Sequence, residues 1–457
     1  MKTLDQIAAE LQGYDAQALP ADKVNAFLAQ LVHSVTASEH VDLMASLGRV
    51  LCDDVVSPIS VPPHDNSAMD GFAFCGAQLN AVGESHFKVI GTALAGQAWQ
   101  GTVATGQCVK IMTGAIMPSG LDTVVPQELC TVDGDRIRIP AGLLRTGDNR
   151  RLAGEDLQLG APALHRGDIV TPAAMGLLAS INHAQVSVLR KLKVAYFSTG
   201  DEVLSLGDEP REGAIYDSNR YTVYSMLTQL GIDVIDMGVV RDEPALLEAA
   251  FRSAAQRADA VITSGGVSVG EADHTKAMMR QLGSEVDGGG VAFWKIAMRP
   301  GRPMAVGRIT SQKSEYFRRG ISEVSYQNSS DSPSLSPTHA ILFGLPGNPV
   351  AVMVTMLAFV RPALLRMMGA NPAKYCSAPL YLQAKSAEPL RKKPGRTEYQ
   401  RGQVSRAADG SLQVKTTGNQ GSGVLSSMVQ ANGLIVLHHN QGNVAVGEMV
   451  DVLMLDV

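Results

Sequence analysis

The apolar positions of this chain change period several times, and each change marks a segment. In residues 3–50, Leu28, Leu31, Val32 and Val35, then Leu43, Leu47 and Val50, recur at helical intervals, which predicts two or three helices. From Asp53 the texture shifts, with Val55, Val56, Ile59 and Val61 set among Pro58, Pro62 and Pro63. From there to residue 150, Gly and Pro punctuate short Val/Ile-rich runs such as 87–90 and 136–139, the pattern of a small β domain. Residues 151–190 return to mixed helix and strand.

Residues 193–310 alternate. Strands are predicted at 194–198, 232–239 and 260–263. Helices are predicted at 219–230, ended by Gly231; at 244–256, with Pro244 in the first turn and Asp242 or Glu243 as cap; and at 274–282. The alternation resumes with a strand at 340–343 and a helix at 349–368. It implies a mostly parallel sheet with helices on both faces. Residues 311–339, rich in serine with Pro333 and Pro337, read as a surface insertion. Residues 373–457 regain β texture at 413–416, 433–436 and 450–454, which predicts a small terminal barrel or sandwich.

Composition narrows the class. A chain of 457 residues exceeds one ordinary core, so two to four domains are expected. With 45% hydrophobic and 18% charged residues it can bury those cores. The formal charge of −5 and the lack of a basic stripe argue against a nucleic-acid partner, while leaving room for a local basic pocket. Five cysteines, widely spaced and odd in number, show no metal-ligand spacing and fit a reducing cytosol. The first fifteen residues carry Asp5, Glu10 and Asp15 and do not read as a signal peptide. The apolar stretch 350–360 is about half of what a bilayer span needs, so it reads as a buried helix and no membrane partner is expected.

The chemistry sits in the loops after the predicted strands, where open α/β sheets bind ligands. They read Thr199-Gly200-Asp201-Glu202, then Ser264-Gly265-Gly266-Val267-Ser268-Val269-Gly270-Glu271-Ala272-Asp273, then Gly344-Leu345-Pro346-Gly347-Asn348-Pro349. Any one of them fits a tight turn. Three together fit a phosphate cradle, in which glycine lets backbone N–H groups approach an anion. A Walker A lysine is missing, which disfavours a P-loop NTPase.

Acid also lies beside base. Glu202, Asp242 and Asp273 occupy strand-end loops, while Lys295, Arg299 and Arg302 sit in the run 293–303. Carboxylates repel phosphate unless a hard cation such as Mg²⁺ lies between, and the basic groups would hold anions directly. Each residue alone also fits solvated surface charge, and Asp242 also fits a helix cap. A third feature is the dense polar run Pro63-His64-Asp65-Asn66-Ser67-Ala68-Met69-Asp70-Gly71-Phe72-Ala73, which also fits an Asx-turn.

These motifs resemble the molybdopterin molybdenumtransferases, the MoeA family, which includes the E domain of gephyrin. The matching runs are 65–71, 111–115, 154–156, 198–202, 215–220, 264–273, 293–303 and 344–349, with 396–402 and 417–422 near the end. They span roughly residues 40–455 in family order. The resemblance implies an elongated mixed domain from residues 1–55 and 152–190, an inserted β domain at 56–151, an α/β domain at 191–372 with the fold of the molybdopterin adenylyltransferases, and a β-barrel-like domain at 373–457. It implies a homodimer whose cleft combines the α/β domain of one subunit with the β domain of the other.

The implied reaction joins adenylylated molybdopterin and molybdate, gives molybdenum cofactor and AMP, and uses Mg²⁺ or a similar ion. By match, Glu202, Asp242 and Asp273 take metal and pyrophosphate chemistry, and Asp70, Thr113, Arg151 and Asp156 line the facing side of the cleft. Lys295 and Arg299 grip molybdate or phosphate. Ser264, Gly265, Gly266, Ser268 and Gly270, with Pro346, Gly347 and Pro349, shape the substrate loops, and Arg401 and Ser422 are terminal-domain candidates. A molybdopterin adenylyltransferase and recipient molybdoenzymes are implied partners.

Two features depart from the family. It commonly has lysine where Arg299 and Arg302 stand, and a planar fork holds an anion differently. The 311–339 segment is longer than the usual turn and is expected to be inert. The alternatives are a molybdopterin adenylyltransferase consuming ATP, which the extra β domains disfavour, and a gephyrin-like scaffold, which the intact acidic loops disfavour.

Overall fold

The computed structural model describes residues 2–267, 274–286, 289–311, 339–376 and 379–455. The expected insertion at 311–339, and Ser268, Gly270 and Asp273, fall largely or wholly outside them. The chain divides into two compact units. One comprises Met1–Glu39, Gly48–Val50 and Leu189–Val457; the other comprises His40–Leu47 and Leu51–Val188.

The chain opens with helices α1 (Leu4–Glu10) and α2 (Ala21–Leu31). Thr3 and Gln6 cap α1 reciprocally, each side chain meeting the other's backbone N–H. Helix was also expected around Leu43, Leu47 and Val50. Instead, Ser38–Asp42 is a strand and Leu43–Ala45 a single 3₁₀ turn. The spacing there comes from a turn that sets partly buried Leu43 against the small core of Leu51, Val170, Leu178 and Val188.

In the second unit that core includes the face of α3 (Pro172–Ser180), capped by Thr171. The β domain in the same unit is one six-stranded sheet. Its strands are β1 (Gly71–Phe74), β2 (Ser85–Ala93), β3 (Gln107–Ile111), β4 (Thr123–Pro126), β5 (Thr131–Asp133) and β6 (Arg136–Ile139), in the order β4-β1-β3-β2-β6-β5. Gly71 opens β1 where a side chain could not fit, since a Cβ there would lie 1.9 Å from the Val125 carbonyl oxygen.

The first unit holds a second six-stranded sheet. It is built from β7 (Lys193–Thr199), β8 (Asp233–Val240), β9 (Ala260–Ser264), β10 (Gly290–Lys295), β11 (Pro303–Thr310) and β12 (His339–Leu345). The order is β8-β7-β9-β12-β11-β10, with the first four strands parallel. Strands β11 and β10 extend it antiparallel, an extension the sequence pattern did not predict. Helices α4 (Ser218–Gln229), α5 (Pro244–Arg257) and α6 (His274–Ser284) cover it. Phe197, Phe251, Met279 and Leu342 belong to its largest apolar core.

Helix α7 (Pro349–Met367) is apolar and long enough to cross a membrane, but 72% of its apolar window is buried within the protein. It contains a π-helical turn at Met356–Val360. Pro362 brings no N–H to the Ala358 carbonyl one turn back, and Asn25 Nδ2 of α2 donates to that oxygen at 3.0 Å. Asn25→Ala is expected to lower stability by about 1 kcal/mol, read in a urea titration with unchanged slope.

The terminal domain is a closed barrel of five strands: β13 (Leu382–Ser386), β14 (Thr397–Arg406), β15 (Leu412–Thr416), β16 (Gly433–Leu437) and β17 (Met449–Met454). The order β14-β15-β13-β17-β16 closes through β16 pairing back to β14. Met298–Arg299 of the α/β domain pairs parallel with Thr397–Glu398 at the start of β14.

Candidate functional site

Register places the strand-end loops at one level. Ser198 pairs with Ser264, Thr199 with Val240, and Ser264 with Leu345, so the chain leaves β7, β8, β9 and β12 along one edge. Antiparallel pairing twice over turns β10 the same way as β12, and Lys295 therefore emerges at that edge too. The edge is wide. Five strand steps separate β8 from β10, about 24 Å at the usual spacing. Acidic and basic groups thus leave the same edge, from strands that are not neighbours.

At the acidic end, the Glu202 carboxylate folds over Gly200: a Cβ on that glycine would lie 2.5 Å from Glu202 Oε2. Asp242 Oδ1 accepts the Thr275 hydroxyl at 3.1 Å. Asp201 Oδ1 accepts the Asp242 backbone N–H at 3.2 Å, tying the two loops together. The sequence reading passed over Asp201, although it stands beside Glu202 in the same motif. Asp242 caps no helix here, because Glu243 occupies the cap of α5 without a side-chain bond. Among the described residues no three His, Cys, Asp or Glu side chains gather as metal ligands. Glu202 and Asp242 are hard oxygen donors left partly or fully open to solvent, which fits an ion such as Mg²⁺ that keeps several waters and takes one or two carboxylates. Asp273, the third candidate, lies outside the described residues.

The glycine loop after β9 is shaped by contact. Gly265 (φ +91°) would place a Cβ 2.4 Å from the Thr199 carbonyl oxygen, and Gly266 (φ +64°) would place one 2.5 Å from Thr275 Cβ. Ser264 turns inward and is 2% exposed. Its hydroxyl sits 2.7 Å from that of Tyr196 and 3.2 Å from that of Ser198, which are themselves 2.9 Å apart. Burial pushes the Tyr196 phenol well above its ordinary range, so it stays protonated within this ring of hydroxyls. A ligand would meet Ser264 through its backbone. After β12, Pro346 is buried, Gly347 is exposed, and Pro349 opens α7.

The basic residues line two cavities. Lys295 and Arg302 border one of about 210 Å³ with Gln17 and Arg396. Arg299 borders another of about 350 Å³, shared with the barrel residues Arg391, Arg401, Glu388, Glu398 and Gln420. Both glutamates there are already engaged: Glu388 Oε1 accepts the Thr416 N–H (2.7 Å) and hydroxyl (2.5 Å), and Glu398 pairs with Arg396 at 2.8 Å. Arg401 is buried, and its Nε donates to Ser427 Oγ at 3.0 Å. Its Nη2 donates to the carbonyls of Asn419 and Gly421 at 3.2 and 3.0 Å. Desolvation first, and then Arg299, lowers its affinity for a proton, yet an arginine stays charged. This net-cationic hollow suits an oxyanion. Ser422 lies just beyond the loop that Arg401 holds, and its carbonyl accepts the Val350 N–H at 3.1 Å.

The second unit is described by itself. Asp70 Oδ1 accepts both the backbone N–H and the hydroxyl of Thr113, each at 2.7 Å. These bonds hold the Asp70 carboxyl below its ordinary range, the backbone one contributing most. Thr113→Val should therefore raise the Asp70 pKa toward the ordinary carboxylate value, read by NMR titration. Because the folded value is depressed, ionised Asp70 favours the fold above the unfolded pKa, and that support is lost as pH falls through the folded one. The valine variant narrows that acid window. Arg151 pairs with Asn66 in a two-stranded ladder, and its Nε stands 4.0 Å from Glu155. Asp156 is exposed, and its N–H donates to the Val61 carbonyl at 3.1 Å. Asp65, the other carboxylate of the polar run, ties that run to this segment by accepting the Ala153 N–H at 2.8 Å and facing Arg150 at 3.6 Å.

The class is an α/β domain with glycine-rich strand-end loops, preceded in the chain by a β domain and followed by a closed barrel. Residues 18–182 match the MoeA N-terminal region (domain I and II), 195–366 a probable molybdopterin binding domain, and 383–455 the MoeA C-terminal region (domain IV). A molybdopterin molybdenumtransferase of Haemophilus influenzae is 37% identical over 435 residues, covering 95% of this chain and 98% of that protein. One from Nostoc sp. is 33% identical over 424 residues, covering 92% and 89%. The crystal structure of a molybdopterin biosynthesis moeA protein from Pyrococcus horikoshii OT3 superposes with a TM-score of 0.73 at 23% identity, covering 96% of this chain and all of that one. The chain belongs to the MoeA family of molybdopterin molybdenumtransferases, and it is a transferase of molybdenum cofactor biosynthesis.

Proposed function

We propose that this chain inserts molybdenum from molybdate into adenylylated molybdopterin, releasing AMP and molybdenum cofactor. The observation that carries this reading is the presence of two kinds of surface in one unit: carboxylates and glycine loops after β7, β8 and β9, and an arginine-lined hollow whose glutamates are already hydrogen-bonded or ion-paired. The first suits a metal-bridged phosphoanhydride and the second a tetrahedral dianion.

The glycine loops after β7, β9 and β12 cradle the pterin nucleotide through backbone N–H groups. Glu202 and Asp242 would hold Mg²⁺, which when bound supplies charge neutralisation at the phosphates. Arg299 would hold molybdate against the wall that Arg401 forms, so that the anion meets the dithiolene sulfurs in one orientation. Water attacks the phosphoanhydride and AMP departs carrying its phosphate; the two dithiolene sulfurs replace two oxo groups of molybdate, which leave as hydroxide with the thiol protons, and molybdenum stays at Mo(VI). In the homodimer proposed below, Asp70, Thr113, Arg151 and Asp156 of one subunit would face the strand-end loops of the other. The assembly is proposed to be a cytosolic homodimer, testable by light scattering as twice the 48.3 kDa chain.

The test is direct. Purified chain, adenylylated molybdopterin and Mg²⁺ should release AMP only when molybdate is added. Pyrophosphate release from ATP would favour the adenylyltransferase reading instead, and silence in both assays would favour a scaffold.

A further inference from the structure

Asn219 grips the loop after β12 from across the sheet, and the reaction above gives it no role. It is the second residue of α4, following the cap Asp217, whose Oδ1 accepts the Arg220 N–H at 3.0 Å. Asn219 Nδ2 donates to the Gly347 carbonyl at 2.7 Å. Helix α4 follows β7, Gly347 follows β12, and β9 lies between those strands. The bond therefore passes over the end of β9, where Gly347 rests on Gly265: a Cβ on Gly347 would lie 3.9 Å from Gly265 Cα. One side-chain amide fixes two glycine loops relative to each other.

Its mounting is rigid. Arg220 forks onto Asp236 of β8 through Nε and Nη2 at 2.8 to 3.0 Å. The Asp217 N–H donates to the Leu204 carbonyl at 2.9 Å. The loop's other side is held by the barrel, through Val350 and Ser422. Asn219 nevertheless leaves its own Oδ1 buried without a partner, a local cost that a residue chosen for stability alone would avoid.

We propose that Asn219 is a positioning residue for the pterin nucleotide, holding the 344–349 loop at a set distance from the 264–266 loop through the Gly347 carbonyl. This rests on the function proposed above. It acts through the backbone and does not touch the reacting atoms.

Three variants test it. Asn219→Asp is isosteric but turns an acceptor toward the Gly347 carbonyl, Asn219→Ala removes the grip, and Asn219→Gln keeps the amide on a longer stem. The first two should raise KM for adenylylated molybdopterin about tenfold, the equivalent of one net hydrogen bond, and leave kcat within about twofold. Molybdate affinity should match the unmodified chain, melting should fall by no more than the few degrees that about one hydrogen bond is worth, and the glutamine variant should recover part of the loss. Unchanged KM in the first two variants would overturn the role. So would a joint fall of melting temperature, molybdate affinity and KM performance, which would mark general damage. If the unmodified chain releases no AMP, the proposed function fails instead. Calorimetry with AMP alone then still decides Asn219, since equal affinity in the unmodified and aspartate chains removes it.

Discussion

Converting Glu202 to Gln or Asp242 to Asn is expected to lower molybdate-dependent AMP release about 100- to 1,000-fold while leaving the protein folded. Both changes preserve shape and remove one charge. An asparagine at 242 still offers an oxygen to Thr275, and its backbone N–H still reaches Asp201. Neither side chain is buried, so melting should shift little. The loss follows from the work each carboxylate does, which is to hold a hard cation against the phosphates. If they act as a unit, the double variant should cost scarcely more than either single one. Molybdate binding measured by calorimetry should persist, because neither Glu202 nor Asp242 lines the arginine hollow. Activity within twofold of the unmodified chain in both variants would remove the carboxylates from the chemistry.

That separation of charges also shows where sequence reasoning stopped. The four parallel strands were legible because strands covered on both faces carry unbroken apolar runs, and β7, β9 and β12 are buried almost throughout. The loops after them were legible through their glycines and acids. The lateral order β8-β7-β9-β12-β11-β10 was not, since each crossover can go either way around the sheet. Lys295 and Asp242 therefore looked like neighbours. Strands β10 and β11 escaped notice because Pro300, Gly301 and Pro303 fill the turn between them and mask the pairing of Lys295 with Pro303.

Facing was equally hidden. Ser264 sits in a serine- and glycine-rich loop sequence, yet the pleat turns its hydroxyl inward to Tyr196. Arg401 was singled out as a ligand, and three of its donor contacts turn out to organise the 419–427 segment, leaving it as both scaffold and cavity wall. In both cases the residue type was readable and its direction was decided by tertiary packing.

Gly265→Ala should damage both the fold and the rate of AMP release. Its φ of +91° is a conformation that L residues adopt only with strain, and a Cβ there would meet the Thr199 carbonyl oxygen at 2.4 Å and the Thr199 hydroxyl at 3.0 Å. Thr199 cannot give way, because it is laddered to Val240 at the end of β7. The loop must move instead, and it carries Gly266 against Thr275, which in turn holds Asp242. A displacement of about 1 Å in such a site costs on the order of 100-fold in rate. Stability should fall by roughly 1–3 kcal/mol. Gly207→Ala separates the two causes. Its φ of +94° is equally strained, but nothing lies within 4 Å of the added methyl. That variant should lose stability and keep its rate of AMP release. Equal rates in both variants would show that the contact with Thr199 does not shape the site, and that the glycine at 265 answers only to backbone strain.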